Sequence, residues 1–294
     1  MSSEGQGTRA AVAAIAKNEA PYLAEWAAYH RLLGFDQILV YDHESTDATR
    51  AVLERLAGEK VLAFLDWSPV QNDQVQKLAY GDAVRRLRPG FDWVTFIDID
   101  EFIVLPQHDD IHEFLADYAD LEAIAMNWKL FGTSGYEHRQ EGLVTEVFDR
   151  CAEQDHSGNR AIKTLVRPRR LVKPNLHNHQ FAEGVVYQTV TGEEIPPGTG
   201  RSESVTHDLI RVNHYFTKSR DEWDAKVARG RATKPPGHPD KFRTEKHFTR
   251  HNRNEALETD IQAYGPRIRA YLAERGLTDL LPGGPAARVG DNSA

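Results

Sequence analysis

Three carboxylates stand inside the otherwise apolar run FIDIDEFIVL at Phe96 to Leu105: Asp98, Asp100 and Glu101. An ionised carboxylate in such surroundings is costly unless it is paired, hydrogen-bonded or bound to a metal. Read as an extended segment, the run projects Asp98 and Asp100 to one side while Ile99 points into the core. Two carboxylates on one side repel unless a cation lies between them. A hard divalent ion, Mg²⁺ or Mn²⁺, held through carboxylate oxygens while it also holds phosphate, resolves that repulsion. Capping of backbone amides, or pairing with Lys or Arg, resolves it too, and the D-x-D spacing alone leans to that reading.

Other polar residues fall where strands should end. Ala10 to Ala16 (AAVAAIA) reads as a buried strand, and Ala20 to Leu33 as a helix opened by Pro21 and stopped by Gly34. Gln37 to Tyr41 (QILVY) is a second strand and gives way to the polar turn DHESTD at Asp42 to Asp47. A helix over Ala48 to Leu56, a strand at Lys60 to Leu65, a helix over Gln74 to Leu87 and a strand at Trp93 to Ile97 complete the pattern. Strands alternating with helices predict an α/β fold with a mostly parallel sheet covered on both faces. In such sheets ligands bind beyond the carboxyl ends of the strands. Asn18 and Glu19 follow the first strand, Asp42 to Asp47 the second, and Asp98 and Asp100 the fourth, so one sheet edge collects them. Asn18, Asp42 and Asp47 also suit helix capping and turn formation, and Asp47, directly before the helix, suits a cap best.

The blocks AIAKNEAPYLAEWAAYHRLLGFDQILVYDHESTDAT, QKLAYGDAV and DWVTFIDIDEFI occur in that order. NWKLFGTSGYEHRQEGLVTEVF, IKTLVRP and VNHYFTKSRDEWDAKVARG follow them. Together they resemble the nucleotide-sugar glycosyltransferases of GT-A fold, in a bacterial branch similar to family 2 and to family 92 (domain of unknown function 23). The resemblance covers most of residues 8 to 232 and implies a role for each matching position. Asp98 and Asp100 would be the DxD pair, binding Mn²⁺ or Mg²⁺ and through it the diphosphate of a nucleotide-sugar donor, a UDP-sugar first. His214 would match the histidine that adds a ligand to the same ion; read alone, it is rather a hydrogen-bonded core residue. Asn18 and Glu19 would meet the base or ribose, and Asp42 resembles the acid that reads uracil. Transfer would invert the anomeric centre, with a carboxylate as base. Glu137, Glu141, Glu146 and Asp149 are the candidates, Glu146 in GLVTEVF ranking first.

Lys163 and Arg167 in IKTLVRPRRLVK, and Lys218 after the histidine, offer positive charge for the leaving diphosphate, Lys163 ahead of Lys218. Trp128 is placed to stack on a sugar face or to pack in the core. Gly132 and Gly135 of FGTSG either let a substrate approach the main chain or form an ordinary hairpin. LHNHQF at Leu176 to Phe181 lacks the further ligands that zinc requires, and reads as a polar turn or acceptor-side loop.

Composition bounds the class. The 294 residues are 40% hydrophobic and 27% charged with a formal net charge of -8, an ordinary globular balance with no footprint for nucleic acid. A single cysteine, Cys151, permits no intrachain disulfide. The Ala10 to Ala16 patch is too short for a signal-peptide core, and no run approaches the ~20 apolar residues that span a bilayer. The expectation is therefore a cytoplasmic protein. Its catalytic domain occupies residues 8–232, followed by a basic and helical extension over 233–294 with a disordered end. The extension's basic stretch suits an anionic acceptor, a membrane surface or plain solvation, and the acceptor itself is a glycan, a lipid-linked glycan or a protein. Two other classes use the same paired acids: a metal-dependent nucleotidyl or phosphoryl transferase, and a non-catalytic nucleotide-sugar or glycan-binding module.

Overall fold

The computed structural model describes residues 7–177, 179–231 and 241–283. The expected disordered end falls mostly outside them. The chain opens with β1 (Ala10–Ala16), α1 (Ala20–Leu32), β2 (Gln37–Asp42), α2 (Thr49–Gly58), β3 (Ala63–Asp66), α3 (Val75–Leu87) and β4 (Trp93–Phe96). These four strands run parallel in the order β3-β2-β1-β4, with Ala13 beside Leu39 on one flank and Phe96 on the other. After them come β5 (Glu101–Val104), α4 (Ile111–Asp117), β6 (Ala123–Leu130), α5 (Val144–Val147), β7 (Arg150–Cys151), β8 (Ile162–Val166), β9 (Leu171–Lys173), β10 (Gln180–Phe181) and β11 (Tyr187–Thr189). The last elements are β12 (Arg211–His214), α6 (Arg220–Arg229), α7 (Glu245–His251), β13 (Ala256–Leu257) and α8 (Gly265–Ala273).

The main sheet continues β4-β8-β6-β12-β5, with β11 also pairing β6. The β8 pairings and the β5–β12 pairing are antiparallel and the rest parallel. This is the expected mixed, mostly parallel sheet flanked by helices. Side chains alternate along β1: Ala10, Val12, Ala14 and Ala16 enter the core beneath α1 and α2, while Ala11 and Ala13 enter the one beneath α3. A strand buried on both faces must be apolar throughout, and only small residues fit between two helical layers that close.

The structure corrects the reading of FIDIDEFIVL as one extended run. β4 stops at Phe96, Asp98 to Asp100 form a turn closed by the Glu101 N–H on the Asp98 carbonyl (3.0 Å), and β5 departs to the opposite end of the sheet. Three closely spaced carboxylates cannot all enter a packed sheet, so the chain turns where they occur.

The described part of the extension shares the main core. β13 pairs with β7, and Ile261, Ile268 and Leu272 are buried in the same cluster as Trp26 and Tyr29 of α1. The expected helix over 261–275 is a short 3-10 turn at Asp260–Tyr264 followed by α8. Among the described residues no helix is long and apolar enough to cross a membrane.

Candidate active site

The acid turn rests on a buried lysine. Lys163, 1% exposed on β8 beside β4, places Nζ 2.9 Å from Asp98 Oδ2 and 3.0 Å from Glu101 Oε2. Glu101 Oε2 also accepts the Asp98 N–H at 2.8 Å, which fixes the turn. Burial pushes the Glu101 carboxyl up to about 7 against the pull of Lys163. At Asp98 burial also opposes the charge, but Lys163 outweighs it and the carboxyl lies below its ordinary value. The Asp98 side chain is 38% exposed and accepts the Gln76 amide on Oδ1 (3.0 Å).

Asp100 is held from the other side. Its Oδ2 accepts Lys226 Nζ from α6, and Lys226 also donates to the Phe216 carbonyl at 2.7 Å. Its Oδ1 faces His214 Nε2 across 3.6 Å. Burial works against the Asp100 charge; Lys226 and His214 overcome it and hold the carboxyl well below the carboxylate range. Burial brings the Lys226 ammonium down to about 8, with Asp100 opposing. The helix that delivers Lys226 starts at a capping box, Ser219 with Glu222.

Asp98, Asp100, His214 and Lys226 open onto one cavity of about 360 Å³, reached from the carboxyl ends of β1 and β4. Asp98, Asp100, Trp128, His214 and Glu19 line it. Trp128 lies against His214 with ring centroids 4.3 Å apart and against His177 at 5.3 Å. Glu19 is tied to Arg229 at 2.6 Å.

Other predicted residues stand elsewhere. Asn18 faces an adjoining cleft, and its Oδ1 accepts the Thr46 N–H at 2.7 Å, so it organises the turn after β2. Asp42 is 2% exposed and paired with Arg50 at 2.8 Å; the next residue, His43, lines the cavity instead. Lys163 supports the acid turn from below and does not face the cavity. Lys218 lies over the Tyr22 ring at 4.0 Å in the adjoining cleft, and Arg167 stacks on Trp93 at 4.7 Å. Glu146 is not brought to the cavity: Arg269 of α8 grips both its oxygens in an ion pair. Gly132 admits the protein's own chain, because a Cβ there would lie 2.4 Å from the Arg253 carbonyl and from Asn254 Oδ1. Asn252 and Asn254 accept the Thr133 and Ser134 N–H groups, both at 2.8 Å. Asp47, expected as the cap of α2, lies one residue before the observed N-cap Ala48 and accepts the Thr49 N–H at 2.9 Å. In LHNHQF, Leu176 and His177 line the cavity.

Sequence reasoning missed the cavity's cations: Lys17, Lys226, Arg229, Arg231 and Arg243. Lys226 and Arg229 are three apart on α6 and therefore share a face, a signal present in DEWDAKVARG. Nothing local marks Arg243.

The donor chemistry for a divalent ion is present. Asp100 Oδ1 and His214 Nε2 are too far apart for a hydrogen bond and near enough to share an ion whose ligands sit ~2.1 Å away. His214 Nδ1 and Glu101 Oε1, 4.0 Å apart, are buried without hydrogen-bond partners. The site fits an ion provided that Lys226 yields Asp100. Among the described residues no group of three or more His, Cys, Asp or Glu side chains is already arranged as a metal shell.

The sequence profile of glycosyltransferase family 92 matches residues 11–232. The chain belongs to glycosyltransferase family 92. A family 92 protein of Arabidopsis thaliana is 27% identical over 232 residues, covering 74% of this chain and 36% of its own. A family 92 protein of Oryza sativa subsp. japonica is 28% identical over 231 residues, covering 74% and 35%. The chain thus spans about a third of the length of these curated relatives. Among solved structures, a mannosyltransferase from Pyrobaculum calidifontis in complex with GDP-Man and Mn2+ is similar at 21% identity and a TM-score of 0.34, over 41% of this chain and 36% of that one. Glucosyl-3-phosphoglycerate synthase from Mycobacterium tuberculosis, with Mg2+ and UDP, is similar at 19% identity and a TM-score of 0.33, over 56% and 58%. Overlaps this partial carry no functional weight, and membership of family 92 stands on the sequence match.

Proposed function

We propose that this family 92 chain is a glycosyltransferase of the hexosyl class. It would move a sugar from a nucleoside-diphosphate donor, a UDP-sugar first, to the hydroxyl of a glycan, lipid-linked or protein acceptor. One observation carries the reading: Asp98, Asp100, His214 and Trp128, drawn from separated motifs, converge on one cavity at the carboxyl ends of parallel strands. Asp100 and His214 would hold Mn²⁺ or Mg²⁺, which supplies Lewis-acid stabilisation of a leaving diphosphate. Lys163 keeps the acid turn folded whether or not an ion is bound. Lys226 neutralises Asp100 and, once displaced, would stay on the cavity wall as a cation for the donor. Trp128 offers an aromatic face beside His214 for the sugar. Inversion belongs to the same reading and draws its base from the cavity carboxylates Glu19 and Asp98 rather than from Glu146.

The test is a screen of UDP-, GDP- and dTDP-sugars for nucleoside diphosphate release, with Mn²⁺ and with chelator, run beside Asp100→Ala. The reading expects release from one donor class that needs metal and falls by at least ~100-fold in the variant. Equal release by both proteins would overturn it.

A further inference from the structure

The cavity holds more positive charge than its own acids use. Lys17, Lys226, Arg229, Arg231 and Arg243 line it against Glu19, Asp98 and Asp100, five cations to three carboxylates. Three of the five are accounted for: Lys17 by Glu44 at 2.8 Å, Lys226 by Asp100, and Arg229 by Glu19. Arg231 and Arg243 pair with no carboxylate among the described residues. The Arg231 guanidinium lies 2.8 Å from His247 Nε2, and Arg243 lies over the Phe216 ring at 5.4 Å. The same ring carries Lys226 at 4.1 Å.

Exposed arginines need no partner, but these two are only partly exposed. Burial lowers Arg243 to about 10; Asp100 opposes the shift, and Arg229 and Arg231 add to it. A guanidinium so placed stays charged at neutral pH and is crowded by like charges. An anion entering the cavity relieves that crowding. The planar fork of arginine suits phosphate oxygens taken two at a time. Arg243 also lies beyond residue 232, where the family match ends, so it is a feature of this chain's extension.

We propose that Arg231 and Arg243 form a diphosphate-binding clamp, so that the segment after residue 241 completes the donor site. This rests on the nucleotide-sugar reading above and adds to it the residues that hold the anion. The extension's contacts at Gly132 and through β13 then have a functional consequence, since they fix the backbone that carries Arg243.

Calorimetric titration of inorganic pyrophosphate and of UDP, each with Mn²⁺ and with chelator, tests the clamp. The proteins are the full-length chain, Arg243→Gln, Arg243→Lys and Arg231→Gln. Each glutamine variant is expected to weaken pyrophosphate binding at least ~10-fold, with a thermal midpoint close to that of the parent. Arg243→Lys, which keeps the charge but loses the fork, falls between Arg243→Gln and the parent. A merely structural Arg243 would shift the melting temperature and leave pyrophosphate affinity intact. If Arg243→Gln fails to fold, Arg243→Lys and Arg231→Gln decide. Parent-like pyrophosphate binding in the folded variants overturns the clamp while the donor reading stands. Failure of the parent protein to bind either pyrophosphate or UDP overturns both.

Discussion

Replacing Lys163 by methionine removes the cation that reaches beneath the acid turn while keeping most of its stem. Its Nζ serves Asp98 at 2.9 Å and Glu101 at 3.0 Å, but the two acids differ in what they can do without it. Asp98 is 38% exposed at its side chain and can recruit water. Glu101 is 0% exposed and cannot. Deleting one partner of a buried pair costs ~3–5 kcal/mol, a large share of the ~5–15 kcal/mol that holds a domain folded. Almost all of that cost should fall on Glu101. Urea unfolding of the parent, Lys163→Met, Lys163→Met/Glu101→Gln and Lys163→Met/Asp98→Asn measures the division. The Glu101→Gln background should recover ~2 kcal/mol or more, because the amide oxygen still accepts the Asp98 N–H while its NH₂ turns toward the unpartnered His214 Nδ1. The Asp98→Asn background should recover less than ~0.5 kcal/mol. Equal recovery in both, or in neither, would refute the assignment of Lys163 as the support of Glu101.

Three further outcomes follow from the geometry. Glu146→Ala should leave turnover unchanged and cost no more than ~1 kcal/mol, since it loses only a largely solvated pair with Arg269; a collapse of kcat at full stability would return it to the chemistry. Gly132→Ala should destabilise by ~1–3 kcal/mol, because its Cβ would strike the Arg253 carbonyl and Asn254, and limited proteolysis should show the segment after 241 cut faster than in the parent. Burial pushes Glu25 up to about 7, although it accepts hydrogen bonds from the Val144 and Thr145 amides and the Thr145 hydroxyl. The folded protein therefore keeps a proton that the unfolded chain releases above about pH 4.5, and the corresponding stability drains away as pH rises toward 7, by up to ~3 kcal/mol. Glu25→Gln should flatten the dependence of urea stability on pH between 5 and 7.5, with Glu101 retaining its own share; an unchanged slope would contradict this.

The half of the fold built from local alternation was legible. β1, α1, β2, α2 and α3 fall within a few residues of their expected bounds, because each is an apolar strand or a helix bounded by proline, glycine or a cap. The placement of β5 was not legible. FIDIDEFIVL looks continuous, and only pairing of Glu101 to Val104 with β12, more than a hundred residues later, shows that the chain has crossed the sheet. The site divided in the same way. Asp98 and Asp100 announce themselves by standing in an apolar run, whereas the strand pattern around Lys163 marks a base for the diphosphate without showing that it reaches beneath the acid turn. Glu146 was misread because its partner Arg269 lies 123 residues downstream, and the two readings of Gly132 stayed open because Arg253 and Asn254 are also distant in sequence. Arg243 gave no signal, since a single arginine in a polar stretch acquires meaning only from the cavity it enters.

On the proposed function, Asp100 and His214 hold a divalent ion where Lys226 now meets Asp100. Crystals grown with UDP and Mn²⁺, measured at the manganese absorption edge, test it most directly. The expected result is an anomalous peak bonded to Asp100 and His214, with Lys226 Nζ withdrawn from Asp100 and UDP oxygens completing the shell. UDP bound in the cavity with no manganese peak, and Lys226 still seated on Asp100, would contradict it.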